Sequence, residues 1–188
     1  MKKILLIAAV SLIGVAASAQ KFAHVNFQEL VQLMPEADGA RATMQESQKN
    51  AQETYQAMMS EFQDKYAKYQ QSANTLTPAT RKAKEDELTQ IQQRIQEFGQ
   101  NVEQELQEQQ QKLMEPIYKK ATETVNTLAK EKGFIYVFDR TSLLYIDDTQ
   151  SVDLTPDARK ALGIPAERTL ESLQAELAAK AQAEQAAK

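Results

Sequence analysis

The chain has no cysteine, no tryptophan and a single histidine, and its 188 residues include only five glycines and five prolines. Without cysteine there are no disulfides, no thiol chemistry and no lipid attached through a cysteine after export. The lone histidine, His24, lies in an apolar segment and reads as part of a folded body rather than as a metal ligand. No glycine-rich phosphate loop is present. Asp147, Asp148 and Asp153 lack the spacing and the glycine of an EF-hand loop, and read as a polar loop. Glu85, Asp86 and Glu87 read as a solvated helix face. No nucleophile, base or metal set comes into view, so the sequence points away from an enzyme and implies no cofactor.

Basic charge is also short. Lys and Arg total 22 against 26 Asp and Glu, a net charge of −4. Phosphate backbones need a basic surface, so nucleic acid is not an expected partner. Scarce glycine and proline beside abundant alanine, glutamine, glutamate and lysine is the composition of long helices.

The one long apolar run is at the start. Lys2 and Lys3 precede the run from Ile4 to Ala17, and Ala17-Ser18-Ala19 offers a small-residue cleavage site. This predicts a secretory leader over 1–19, cleaved to leave a soluble exported chain. The run is shorter than the roughly 20 residues of a membrane span.

Beyond it, FAHVNF (22–27) predicts a strand with Ala23, Val25 and Phe27 on one face. A helical turn through Leu30 and Leu33 follows, interrupted at Pro35. From Glu36 to Thr75, apolar residues recur at steps of three, four or their sum of seven, with Lys65 filling one seam position: Met44, Ala51, Tyr55, Met58, Phe62, Tyr69. That is a coiled-coil seam. Thr77 and Pro78 suit the cap and first position of a second helix over 78–132. Leu88, Ile91, Ile95, Phe98 and Val102 begin its seam. The break near residue 77 therefore reads as a hairpin tip. Facing residues sum to about 155, which sets Gly99 against Tyr55 or Gln56 and Pro116 against Gly39. Gly99 reads either as room for Tyr55 or as a bend point.

After Gly133 the period changes. FIYVF (134–138) predicts a buried strand, SLLYI (142–146) a second one, and 147–151 a polar loop. Thr155 and Pro156 predict a capped helix ending near Gly163. Residues 164–188 read as an alanine-rich extension with a weak apolar face of Leu170, Leu173 and Leu177.

The expected fold class is α+β, mostly α: a small β-rich oligomerisation body (20–35 and 113–163) bearing a long antiparallel coiled-coil hairpin arm (36–112). A body this small is marginal alone, and its strands leave open edges. Identical subunits are expected to join through it, with Val25, Phe27, Ile135, Val137, Leu144 and Ile146 as candidate interface residues.

The strand FAHVNFQEL, the hairpin and the segment EPIYKKATETVNTLAKEKGFIYVFDRTSLLYIDDTQSVDLTPDARKALG together resemble the Skp (OmpH-like) family of periplasmic chaperones. The likeness covers roughly 20–163 and is most specific at GFIYVFD, LLY and DLTPDARKALG. It implies a homotrimer with three helical arms, located in the periplasm, that holds unfolded outer-membrane proteins without ATP. A structural or scaffolding coiled coil of the envelope, with no client capacity, is the alternative. The arms here are acidic where better-known members are basic, so no lipopolysaccharide site is carried over. Only the tip, with Lys65, Lys68, Arg81, Lys82 and Lys84, is locally positive. It reads as a solvated helix end or as a weak contact for anionic lipid. Met59 and Tyr66, seven residues apart beside the seam, are the candidate client-facing residues, since thioether and phenol adapt to varied apolar chains. The alternative for both is that they widen the coiled-coil core.

Overall fold

The computed structural model describes residues 21–186; the expected leader, 1–19, lies outside them. The chain runs β1 (Phe22–Val25), α1 (Phe27–Leu33), α2 (Pro35–Ser72), α3 (Pro78–Lys132), β2 (Tyr136–Asp139), a 3₁₀ turn (Arg140–Ser142), β3 (Ser151–Asp153), α4 (Thr155–Ala161) and α5 (Leu170–Ala186). The fold class is as expected: two long helices form a hairpin on a small three-stranded sheet.

The sheet order is β2-β1-β3, with both pairings parallel. Phe22 sits beside Tyr136 and Ser151, and His24 beside Phe138 and Asp153. β1 ends at Val25, sooner than the apolar pattern suggested. The Asn26 side chain accepts from the Glu29 amide at 3.1 Å and so caps α1, which moves Phe27 from the strand into the helix. Pro35 holds the preceding Met34 extended (φ −58°, ψ 140°), and this breaks α1 from α2. Pro35 then fills the first turn of α2, where its missing amide costs nothing.

That knuckle is the centre of the core. Leu30, Leu33 and Met34 are fully buried, with Ala37 and Ala40 following on α2. They pack with Ile117, Ala121 and Val125, a four-residue repeat along one face of α3, and with Ala158 and Leu162 around α4. The core reaches past residue 163: Ile164 and Leu173 are buried in it, and Leu170 packs against it. Leu170 and Leu173, read as a weak face, thus anchor a docked helix.

Thr77 caps α3 by accepting from the Thr80 amide, with Pro78 in the first turn. Gly133 closes α3 in the left-handed conformation (φ 71°), and its amide reaches the carbonyls of Ala129 and Lys130. Cross-hairpin pairs Glu61–Arg94, Tyr69–Glu85 and Glu36–Lys120 fix a register close to the predicted one. The seam itself is wetter than the pattern implied. Met44, Met58, Phe62 and Tyr69 are only half-buried, and Tyr55 is 43% exposed. Two helices offer each other one narrow strip, so a large side chain on it keeps one flank in water. Gly99 does not make room for Tyr55: a Cβ there would meet nothing within 4 Å.

Two further expectations are corrected. Residues 142–146 are not a strand. The Asp139 side chain accepts from the Thr141 amide, turning the chain into the 3₁₀ turn, and Leu144 and Tyr145 stay exposed. The third strand is instead 151–153, which begins at the last residue of the expected loop. Asp147 accepts from the Thr149 amide and hydroxyl, and this turn delivers 151–153 to the free edge of β1. There Ser151 Oγ lies 2.9 Å from His24 Nδ1. Thr155 is not the cap of α4. Its hydroxyl accepts from the Asn26 amide at 2.9 Å, while Asp153 receives the Thr155 amide at 2.8 Å.

Candidate functional site

Among the described residues, two regions keep large side chains in water after the core is made. The first is the sheet. Alternation along a strand puts Phe22 and His24 on one face with Tyr136 and Phe138 beside them. Phe22 stacks on Tyr136 (centroids 6.3 Å apart, planes 10° apart), and Tyr136 and Phe138 rings are 6.0 Å apart. Tyr136 and Phe138 are nevertheless 58% and 42% exposed. Leu143, Leu144 and Tyr145 are exposed in the following loop. His24 is buried on this face. Its Nε2 has no hydrogen-bond partner and lies 3.9 Å from Asp153 and 4.0 Å from Asp148.

The predicted interface residues divide. Val25 is buried; Phe27 and Val137 are half-buried; Ile135 is exposed; Ile146 is half-buried outside any strand; Leu144 is wholly exposed. Val25, Phe27, Ile135 and Val137 are brought together, facing Val125 and Ala129 of α3 across an open cleft of about 330 Å³. Leu144 and Ile146 are not part of it. This aromatic cluster, with Tyr136 and Phe138 exposed and Phe22 half-buried, was not singled out from sequence. The alternation Phe22, Tyr136, Phe138 was visible, but nothing showed that β2 would pair with β1 rather than with its own successor.

The second region is the arm. Met59 is half-buried and Tyr66 is 44% exposed, with its ring stacked on Phe62 at 5.9 Å. Charge ties the helices where apolar packing is thin. Lys65 pairs with Glu87 and Arg94 with Glu61 at 3.5 Å across the hairpin, while Lys84, on the same helix as Glu87, meets its carboxylate at 3.1 Å. Hydrogen bonds from Lys65 and Lys84 hold the Glu87 carboxyl below the usual carboxylate range. Donation to Glu85 pushes the Tyr69 phenol up. The basic tip is largely spent on such contacts. Lys82 pairs with Asp86, and Arg81 donates to the Ala73 carbonyl; among the described residues Lys68 alone of the five has no such partner.

At the arm root, a hydrogen bond from Lys120 holds Glu36 low. Burial pushes Asp38 up, but Arg168 and Arg41 outweigh it and the net shift is downward. Arg168 comes from the segment before α5, and Arg159 reaches Glu29 at 2.5 Å. Between α5 and the arm, Met44, Leu113, Met114 and Leu177 line an apolar groove of about 310 Å³. Among the described residues, no group of His, Asp or Glu is placed to hold a metal, and no helix is long and apolar enough to cross a membrane.

Against known proteins, the sequence profile described as outer membrane protein (OmpH-like) matches residues 21–162. This chain belongs to the OmpH-like family. That family is one of chaperones, not of enzymes. A relative, "Chaperone protein Skp" of Yersinia enterocolitica, is 26% identical over 163 residues, which covers 85% of this chain and 98% of the relative. A crystal structure of an OmpH-like protein of Caulobacter crescentus superposes with a TM-score of 0.67 at 12% identity, over 76% of this chain and 83% of that one. The OmpH-like match stops at 162, so α5 lies beyond the matched region.

Proposed function

We propose that this protein is a periplasmic holdase that works without ATP. Copies join through their sheets as a homotrimer, and the arms enclose unfolded outer-membrane proteins. The leader over 1–19 carries the chain to the periplasm. The observation that carries the reading is the aromatic face on the sheet, where Tyr136 and Phe138 stay exposed beside Phe22, together with exposed Leu144 and Tyr145 in the loop that follows. A small exported domain does not leave such a face in water without a partner. A second copy, with the same sheet, is its economical cover. No residue of the body's core comes from 41–112, so the arms stay free for another task. An unfolded β-barrel protein exposes strand edges that drive aggregation. Several weakly binding arms hold it by avidity, and membrane insertion competes it away. Anionic lipid is at most a weak partner of the tip, because most of its cations are already paired.

The test is light scattering from a denatured outer-membrane protein diluted into buffer with the purified chain. Suppressed scattering at a few-fold trimer excess supports the holdase. Unchanged scattering with tight binding to one folded envelope protein supports the scaffold alternative instead.

A further inference from the structure

Glutamine is the commonest residue on the exposed surface of the arm. On α2, Gln48, Gln52, Gln56, Gln63 and Gln70 are all exposed, and their carboxamides have no partner within the described residues. At 100° per residue they fall within about 80° of one another, and Met59 and Tyr66 fall in the same file. The seven positions step by four, four, three, four, three and four residues, a continuous stripe beside the Met58–Phe62 seam. The stripe is almost free of charge. Lys49 lies at its rim, and Glu53, Glu46, Asp64 and Lys68 follow beyond it around the back of the helix.

We infer that this stripe binds the unpaired peptide backbone of an extended client chain, through side-chain amides. The inference rests on the holdase reading and names what the arm recognises. A carboxamide carries a donor and an acceptor, as a peptide group does. Glutamines four apart on a helix rise about 6 Å. Peptide groups along one edge of an extended strand repeat about every 6.7 Å. Over Gln48, Gln52 and Gln56 the two files therefore run nearly in step; Gln63 and Gln70 follow at seven-residue steps of about 10.5 Å, short of two strand repeats. Met59 and Tyr66 interrupt the amides where a client's apolar side chains need a place. Each bond replaces one to water and is individually weak, so a client moves along the stripe without being trapped. An amide surface has no net charge, so the contact itself adds no dependence on client charge or salt.

The test uses the intact protein and a fluorescent peptide copied from a membrane β-strand, beside the same peptide with alternate backbone amides N-methylated. Anisotropy is measured at low and at high salt. The unmodified peptide is expected to bind roughly tenfold more tightly, the effect of one or two net hydrogen bonds, with little change on adding salt. Replacing all five glutamines (Q48M, Q52M, Q56M, Q63M, Q70M) keeps side-chain length and helix propensity but removes the amides. It is expected to abolish the discrimination, and the corresponding alanine set should do the same. Equal binding of both peptides, or tighter binding by the methionine variant, overturns this inference alone. No binding of any unfolded chain by the unaltered protein overturns it together with the holdase reading.

Discussion

In the body, Leu30, Leu33, Met34 and Ala121 have no exposed surface, whereas from residue 41 to 87 not one side chain is buried. On α3 only Leu88 and Ile91 are buried before Ile117. The two regions are made of helices of similar propensity, so the difference lies in geometry. Around the α1–α2 knuckle, segments from α1, α2, α3, α4 and α5 meet, and a side chain can be surrounded. Along the arm only two helices meet, and each residue faces one neighbour. Apolar burial stabilises the first region. The second depends on helix propensity, a narrow seam and cross-links such as Lys65–Glu87. A region built in the second way is easily opened at one level without unfolding the rest.

The comparison can be broken first at the core. Leu30→Ala is expected to cost about 2–5 kcal/mol, measured as a lowered denaturation midpoint, whereas Met58→Ala on the arm should cost well under half of that. Equal losses would mean the arm is as well packed as the body. Next, Leu173→Ala should cost about 2 kcal/mol, at the low end because α5 packs from one side only, and should release α5 selectively. Hydrogen exchange should then quicken over 165–186 and remain slow at β1. Gly99→Ala should add about 0.5–1 kcal/mol, since the space beside it is open and the helix continues through it. If Gly99 serves as a bend point, that gain comes with a stiffer arm and slower client capture.

The smallest effect is electrostatic. Asp38, Glu36 and Glu87 all titrate below their ordinary range in the folded chain. The unfolded chain therefore takes up more protons as pH falls below about 4. The stability these groups contribute is complete above that range and is lost as pH falls through their lower folded values. All three are largely solvated, so the effect is modest and weakens with salt. An acid titration at low salt, followed by the distance between labels on the arm and the body, should show the arm loosening before the core melts.

Much of the arm was legible because its signals are local. Seam spacing, Thr77-Pro78 at the tip and Gly133 at the helix end each act within a few residues. The body was less so. That β3 would be 151–153 and not the more apolar 142–146 turned on two aspartate turns, at 139 and 147, and on which edge of β1 stood free. Neither is a property of the segments themselves. Phe27 was lost to the strand reading because the Asn26 cap competes with strand continuation, and a pattern of alternate apolar residues does not register that competition. Met59 and Tyr66 were picked out as candidates by their spacing; that glutamines continue their file was equally visible.

The sequence by itself determined that two long helices form, where they turn and where they stop, because helix periodicity and capping are short-range. Only the tertiary structure decided which apolar residues are spent in the core and which remain outside. It buried Leu173 and left Tyr136, Phe138 and Leu144 to solvent. Burial depends on how many elements converge at a point, and convergence is a property of the assembled chain.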